Sequence, residues 1–399
     1  MGKPFEGIRV LEVAAWTFVP AAGAVMADLG ADVIKVEPPG GDPQRGLQNM
    51  LNFDTHGPNP FNEVPNRGKR SITLDLKSET GREALLSIAR ASDVFLTSYL
   101  ADQRQKLRLD VDDIQAVNPQ IIYVRGSGWG SEGPMLNTGG YDVAAGWATS
   151  GMAHHVTTEQ GPAGQPPAFF DLIGGNAIAG AIAMALLQRE RTGLAETVDV
   201  SLMNVGMWTM SPGIVSAPYV DQFMKGERSS AGNPVANHYR TRDGRWIYLV
   251  LLQSDRFWAE LCGILERKDM IDDLRFVDGA ARFANRVECI RELDETFARR
   301  TFDDWRERLA KLSGVWAPAL TLKEIHEHVQ VEPNGYLPRV TGHDGLEFKL
   351  VAPPMRFGGQ STTPAGPAPE LGQHTEAILL DVGLAWDDIT RIREAGGLG

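Results

Sequence analysis

Short runs of β-branched and aliphatic residues alternate with longer helix-forming segments over the first half of the chain. Residues 7–13, 32–37, 71–76, 93–98, 121–124 and 197–202 predict strands, and residues 20–29, 80–91, 112–117 and 172–191 predict helices. Gly30 and Gly193 directly follow two of these helices, where a left-handed cap residue is typical. Helices between consecutive strands imply parallel pairing with right-handed crossovers. The pattern therefore predicts a doubly wound α/β domain.

The pattern changes after about residue 210. Residues 239–249 read as a hairpin turned at Asp243-Gly244, and a helix rich in Arg and Glu is predicted over 302–312. A second hairpin is predicted at His343-Asp344-Gly345, followed by a final amphipathic helix over 375–382. This part of the sequence predicts a separate α+β unit.

Composition and charge exclude several classes of protein. The chain has 399 residues and a formal net charge of −12, which argues against binding to nucleic acid. The longest nearly apolar run, residues 177–187, is shorter than the roughly 20 residues that cross a bilayer. Residues 1–6 lack the apolar core of a secretory signal, and the only cysteines are Cys262 and Cys289. We therefore expect a cytoplasmic protein with neither membrane nor nucleic-acid partners.

Two motifs are rejected on their context. Gly128 to Gly133 matches GxGxxG, but Pro134 and a Gly-rich segment follow it where a dinucleotide fingerprint needs a helix. A turn is the better interpretation. The histidines of His154-His155 and of His326-x-His328 are one and two positions apart, so the two members of a pair do not lie on one helical face. No matching Asp or Cys cluster is obvious in the sequence, and no metal site is predicted.

Two other features have both a structural and a functional interpretation. Arg67, Lys69 and Arg70 precede a strand, and they predict either a solvated basic turn or an anchor for a phosphorylated ligand. Asp171 precedes the Ala-rich helix, where it could be an N-cap or a carboxylate that attacks an acyl carbon. The helix N-terminus would favour its ionised form, and Gly174-Gly175 would let a substrate approach the backbone.

Four segments together resemble the family III CoA-transferases, the group that contains formyl-CoA transferase, carnitine CoA-transferase and α-methylacyl-CoA racemase. They are residues 11–37, 66–77, 171–193 and 371–376, and the likeness covers essentially the whole chain. The resemblance implies a Rossmann-like large domain formed by both chain ends, a smaller α+β domain, and an interlocked homodimer. The implied boundaries are 1–205 for the N-terminal part of the large domain, 206–230 for a linker, 231–325 for the small domain, 326–350 for a second linker and 351–399 for the C-terminal part of the large domain.

The resemblance also implies a reaction and its residues. An acyl-CoA donor and a free carboxylic acid acceptor would exchange coenzyme A through Asp171, which forms a mixed anhydride and then an aspartyl-CoA thioester. CoA is a substrate in this scheme and no metal takes part. The implied CoA-binding positions are Thr17, Phe18, Leu74, Asp75, Lys77, Ser98, Tyr99, Leu100, Lys106, Gly139, Gly140, Tyr141 and Asp142, with Arg67, Lys69 and Arg70 as further cations for the phosphates.

Two alternatives stay open. The racemase branch uses a histidine in a Gly-His-Asp motif, whereas this chain has Gly140-Tyr141-Asp142, and a tyrosine of pKa ~10 is a poor base at neutral pH. His154 or His155 could take the place of that histidine. The second alternative is a CoA-binding protein without catalytic activity. We predict acyl transfer.

Overall fold

The chain divides into two compact units. A computed structural model describes residues 2–158, 161–221, 227–359 and 362–399. The larger unit consists of Met1–Val220 together with Val329–Gly399, and the smaller unit consists of Asp221–His328. Both ends of the chain thus belong to the larger unit.

The first part of the larger unit alternates strands and helices. The strands are β1 Arg9–Val13, β2 Asp32–Glu37, β3 Arg70–Thr73, β4 Val94–Thr97, β5 Ile122–Ser127 and β6 Thr197–Ser201. The helices are α1 Phe18–Asp28, α2 Leu47–Met50, α3 Pro60–Asn66, α4 Glu79–Arg90, α5 Ala101–Leu107, α6 Val111–Gln115, α7 Met152–His155, α8 Phe169–Thr192, α9 Leu202–Thr209 and α10 Ser211–Ser216. A π-helical turn covers Asp142–Ala148.

The six strands form one sheet in the order β3-β2-β1-β4-β5-β6, and every neighbouring pair is parallel. This confirms the predicted α/β fold with a central parallel sheet. The strand order reverses between β1 and β4, so the connections from these two strands lead in opposite directions along the sheet. A crevice at the carboxyl ends of the strands at such a switch point is where doubly wound folds bind their ligands.

Helix α8 packs against α1 through its glycines. A Cβ atom at Gly175 would lie 2.6 Å from the Cβ of Ala21, and one at Gly174 would clash with the Phe18 ring. The two glycines therefore allow close helix packing rather than the approach of a substrate, which corrects their predicted role. Helix α8 has 24 residues and is apolar enough, by length and composition, to cross a membrane, but the buried core helix of a soluble protein passes the same test.

The smaller unit has an antiparallel sheet and a helical layer. Its strands are β7 Ala236–Arg240, β8 Trp246–Val250 and β9 Trp316–Pro318, and its helices are α11 Ser254–Ile264, α12 Gly279–Ala284, α13 Arg286–Phe297, α14 Phe302–Leu309 and α15 Leu322–Ile325. The turn between β7 and β8 holds Gly244 at a φ of +83°, which is typical of the predicted Asp-Gly hairpin. Tyr239 stacks on Phe297 in the core, where Cys262 and Cys289 are both buried and free.

The returning segment completes the larger unit. It contains α16 Val331–Asn334, β10 Arg339–Thr341, β11 Glu347–Lys349, α17 Thr375–Asp381 and α18 Trp386–Glu394. Strands β10 and β11 pair in the predicted hairpin.

Three local predictions differ from the structure. Residues 206–220, predicted as part of a linker, contain the end of α9 and all of α10 within the larger unit, and the second predicted linker, 326–350, contains the β10–β11 hairpin. Helix α4 begins at Glu79, one residue before the predicted start.

Candidate active site

The predicted CoA-binding segments lie at the carboxyl edge of the sheet. Thr17 and Phe18 follow β1, Ser98 to Leu100 follow β4, and Leu74 to Lys77 follow β3. In a parallel sheet these strand ends share one edge, so the fold gathers segments that are distant in sequence. The loop after β1 and the loop after β4 touch directly, because the Ala15 N–H donates to Ser98 Oγ at 3.0 Å.

The Gly139 to Asp142 segment reaches the same edge through the loop after β5. A Cβ atom at Gly128 would lie 2.8 Å from the Cα of Gly140, so only glycine lets the two backbones pass this closely. The Trp129 indole N–H donates to the Gly139 carbonyl at 3.1 Å. The rejected GxGxxG motif is thus a loop, and its first glycine has a packing role.

Asp171 lies in the first turn of α8 but does not cap it. The N-cap is Ala168, at a φ of +56° with no side-chain hydrogen bond. The Asp142 carboxylate instead accepts hydrogen bonds from the backbone N–H groups of Phe170 and Asp171, and from the side-chain amide of Gln165. Asp142 therefore stabilises the start of α8 from outside the helix and brings its own charge beside Asp171.

This arrangement changes the acidity of Asp171. Burial, followed by the negative charge of Asp142, raises the pKa of the Asp171 carboxyl to about 8. The expectation that the helix N-terminus favours the ionised form does not hold, because burial and then the charge of Asp142 favour the protonated form. A carboxylate that ionises from such a desolvated site is a stronger nucleophile than a solvated one, since little water must be removed before it attacks.

The raised pKa predicts a pH dependence. If the ionised form of Asp171 reacts, kcat/KM for acyl-CoA rises with pH through about 8 and falls about tenfold per pH unit below it. The Asp142→Asn variant removes the neighbouring charge, so its profile should move to lower pH. The measurement is the rate of CoA exchange between pH 5.5 and 9.5. A profile that is flat between pH 6 and 8 in the wild type would contradict the assignment.

Lys77 and Lys106 line one cleft at this edge, with a volume of about 340 Å³. Arg82 and Arg108 line it too. Glu79 supplies the one carboxylate among the lining residues, and it pairs with both arginines. Within the described residues, neither lysine ammonium group has a hydrogen-bond or ion-pair partner, and both side chains are exposed. The cleft therefore offers unneutralised positive charge that suits phosphate groups.

Arg67 and Lys69, by contrast, are buried in ion pairs. Arg67 Nε donates to the Asp28 carboxylate at 2.7 Å, and Lys69 Nζ donates to the Glu12 carboxylate at 2.7 Å and to the Pro20 carbonyl at 2.9 Å. Burial lowers the pKa of Lys69 to about 8. Both side chains tie α1 and the strands together. Both side chains are almost fully buried and paired with carboxylates, which gives them a structural role.

Arg70 is also placed away from the edge that gathers the other residues. It begins β3, at the amino end of the sheet, and its guanidinium contacts the carboxylates of Asp32 and Asp381 at 2.7 Å each. The basic cluster is thus neither a solvated turn nor part of the carboxyl-edge crevice. Its three charges are neutralised by acidic residues from distant parts of the sequence.

Replacing Arg67 tests this structural role. Arg67→Ala leaves the Asp28 carboxylate buried without its partner, which we expect to lower the free energy of unfolding by about 3–5 kcal/mol. The affinity for CoA should stay within about twofold, a range of less than 1 kcal/mol. Urea unfolding and calorimetric titration with CoA measure the two quantities. A large loss of CoA affinity in a folded variant would restore the phosphate-anchor interpretation.

Sequence reasoning missed several residues at the site. Arg82 and Arg108 carry no motif of their own and reach the cleft because the start of α4 lies beside the end of α5. Trp16, which precedes the predicted positions Thr17 and Phe18, packs edge to face on Tyr141, with ring centroids 5.6 Å apart. Among the residues that the structure describes, no group of three or more His, Cys, Asp or Glu is arranged to hold a metal ion.

The strand order defines a doubly wound α/β protein, a class whose members bind ligands at the carboxyl ends of the strands. The sequence model of CoA-transferase family III matches residues 5–375, so the chain belongs to this family. It is a family III CoA-transferase, which confirms the prediction from the four segments.

The similarity to known proteins extends over almost the whole length of this chain. Succinyl-CoA:glutarate CoA-transferase of Mus musculus is 33% identical over 97% of this chain and 88% of its own. (R)-2-hydroxy-4-methylpentanoate CoA-transferase of Clostridioides difficile is 28% identical over 98% of both chains. A crystal structure of Rv3272 from Mycobacterium tuberculosis, 29% identical, superimposes with a TM-score of 0.81 over 94% of this chain and 99% of that one.

Proposed function

We propose that this enzyme transfers coenzyme A from an acyl-CoA to a free carboxylic acid through covalent intermediates on Asp171. The observation that carries the proposal is the Asp171 carboxyl itself, desolvated and with its pKa raised to about 8, at the edge where the predicted CoA segments meet. The named activities of the relatives, which exchange CoA between acids, support the same class of reaction.

The chemistry follows from the exchange of bonds at one carboxylate. An oxygen of ionised Asp171 attacks the thioester carbonyl, the C–S bond breaks, and a mixed anhydride and CoA thiolate result. The thiolate attacks the aspartyl carbonyl and releases the donor acid, which leaves an aspartyl-CoA thioester. The acceptor carboxylate then attacks the carbonyl of this thioester, the C–S bond breaks, and a second mixed anhydride and CoA thiolate result. The thiolate attacks the acceptor's carbonyl in this anhydride, which gives the new acyl-CoA and free Asp171. Each step makes one acyl bond and breaks another, so no external energy source is required.

CoA binding in this proposal uses the crevice and the cleft together. The phosphates lie in the cleft of Lys77 and Lys106, and the pantetheine arm runs past Ser98 to Leu100 toward Gly139 and Asp142. Leu74 is buried in the core, so its contribution would come from its backbone. Asp75, Tyr99, Leu100, Gly140 and Tyr141 complete the lining as proposed contacts.

We further propose that the enzyme acts as an interlocked homodimer in the cytoplasm. Large apolar side chains are exposed along α8, α9 and α10, with Met184 exposed by 71%, Trp208 by 80% and Val215 by 70%. An apolar surface of this kind on one chain marks an interaction site. Light scattering should give twice the chain mass of 43.5 kDa. The free, buried Cys262 and Cys289 agree with a reducing compartment.

The reaction is tested by isotope exchange. The enzyme is incubated with an acyl-CoA and a second, ¹³C-labelled free acid, and the acyl-CoA pool is followed by mass spectrometry. Label in the new acyl-CoA, together with an Asp171 adduct trapped by hydroxylamine, supports the proposal. Exchange of the α-hydrogen in deuterated water without transfer would instead support the racemase. Binding of CoA without either reaction would indicate a CoA-binding protein that has no catalytic activity.

The racemase has less support at this site. After burial, the charged group that raises the pKa of Asp171 is Asp142. Tyr141 stands where the racemase motif has its histidine, and its side chain is 62% exposed. We therefore keep acyl transfer as the proposal.

A further inference from the structure

The loop between β1 and α1, residues 14–17, is held by polar groups from other parts of the sheet. Lys35 Nζ, on β2, donates to the carbonyl of Ala14 at 3.1 Å. The N–H of Ala15 donates to Ser98 Oγ, after β4, at 3.0 Å. The first half of the loop is thus fixed from both of the strands that flank β1.

The second half of the loop is fixed from the segment that follows β2. The Trp16 N–H donates to Asp42 Oδ1 at 3.2 Å, and Gln44 Nε2 donates to Thr17 Oγ1 at 3.0 Å. Trp16 has a φ of +67°, a left-handed conformation that residues with large side chains rarely adopt. Such a conformation persists only where the surrounding contacts determine it, and here Asp42 supplies the contact.

Asp42 joins both halves of this arrangement. Its side chain is buried, and its second carboxylate oxygen lies 2.8 Å from the ammonium group of Lys35, which is also buried. Its Oδ1 also accepts the N–H of Gln44 at 2.9 Å. One buried ion pair therefore holds Ala14 through Lys35 and Trp16 through Asp42, so that the loop has little freedom to adopt another conformation.

The conformation of the loop determines where the Trp16 indole lies. The indole meets the Tyr141 ring edge to face, with the ring planes at 90°. Tyr141 directly precedes Asp142, whose carboxylate accepts the backbone N–H of Asp171. The left-handed backbone thus places an aromatic pair beside the segment that holds the Asp171 carboxyl.

We infer that Asp42 is a positioning residue that holds the Trp16 indole in place as an apolar wall for the acyl group of the acyl-CoA. The inference rests on the proposed function and deepens it, because it names residues that select for the acyl portion of the substrate. A fixed aromatic wall suits an apolar acyl chain, and it loses little conformational entropy on binding.

The test uses CoA and hexanoyl-CoA as probes in calorimetric titrations, which require no turnover. Asp42→Ala frees the Trp16 backbone, so the affinity for hexanoyl-CoA should fall about tenfold, and that for CoA by less than threefold. Asp42→Asn keeps an oxygen acceptor for the Trp16 N–H and should recover most of the loss. Trp16→Ala should weaken hexanoyl-CoA about tenfold, and the double variant should be no weaker than either single variant.

A matched control separates positioning from stability. Asp28 is equally buried, pairs with Arg67 and accepts the N–H of Ala365 at 3.2 Å, but lies at the far end of α1. Asp28→Asn should lower stability as much as Asp42→Asn and leave both affinities unchanged. With an exchanging acyl-CoA, Asp42→Ala should raise KM more than it lowers kcat. Equal losses of affinity for CoA and hexanoyl-CoA would overturn the inference. So would effects of Asp42→Ala and Trp16→Ala on hexanoyl-CoA affinity that multiply in the double variant. Failure of Asp171 to form an adduct would overturn only the proposed function.

Discussion

Replacing Asp171 by asparagine is expected to reduce CoA exchange by about 10³-fold or more. The amide has nearly the same size and keeps the packing at the start of α8, but it cannot form an anhydride with the acyl group. The hydroxylamine-trapped adduct should disappear at the same time, while calorimetry should show CoA affinity within about threefold of the wild type. Exchange measured by mass spectrometry and peptide mapping of the adduct check both outcomes.

The same substitution should also stabilise the protein. Because the folded-state pKa of Asp171 is raised from 3.8 to about 8, its contribution to stability is complete below the unfolded-state pKa and is lost as the pH rises through about 8. A neutral amide avoids this loss, so Asp171→Asn should have a higher melting temperature than the wild type at pH 8–9 and little difference at pH 4. A stability that is unchanged at both pH values would argue that the carboxyl is not desolvated.

Asp142→Asn is the matched control for this experiment. It keeps a side-chain oxygen near the N–H groups of Phe170 and Asp171, but removes the charge that raises the pKa of Asp171. We expect it to keep the covalent adduct and to move the pH profile of exchange downward. If Asp142→Asn lost the adduct as fully as Asp171→Asn, the nucleophile would have been assigned to the wrong carboxylate.

The parallel sheet could be predicted from the sequence because its strands are short runs rich in β-branched and aliphatic residues between helices. Arg9 to Val13 and Asp32 to Glu37 have this pattern, and the structure pairs them in register. The carboxyl edge as the place of the site also follows from this topology. Asp171 itself could not be selected from the pattern alone, since its position is equally typical of an N-cap, and only the resemblance gave it a role.

The partners of the basic cluster could not be predicted. Arg67 pairs with Asp28, Lys69 with Glu12 and Arg70 with Asp381, at sequence separations that no local pattern encodes. The charge of a cluster is visible in the sequence, but whether it is neutralised depends on tertiary structure. The left-handed backbone of Trp16 could not be predicted either, because it depends on tertiary contacts and tryptophan has no local preference for that conformation.

Removing both free lysines of the phosphate cleft should have the second largest effect on the reaction. We expect Lys77→Gln and Lys106→Gln each to raise KM for acyl-CoA about tenfold, and the double variant about 100-fold, because a hydrogen bond to a charged group contributes about 1.5–3 kcal/mol. Since the contact is made to bound phosphates and not to the reacting carbonyl, kcat should change by less than about threefold. Steady-state exchange rates at varied acyl-CoA concentration separate the two constants.

Salt and a distant lysine provide the controls for this prediction. The wild-type KM should rise with ionic strength, and that of the double variant should rise less, because fewer charges remain to be screened. Lys349→Gln removes the same charge from β11, where Lys349 is exposed and does not line the cleft, so its KM should match the wild type. If Lys349→Gln raised KM as much as Lys106→Gln, the effect would come from net charge alone and the cleft would not be the phosphate site. An unchanged KM in the double variant would instead indicate that Arg82 and Arg108, the remaining cations of the same cleft, bind the phosphates.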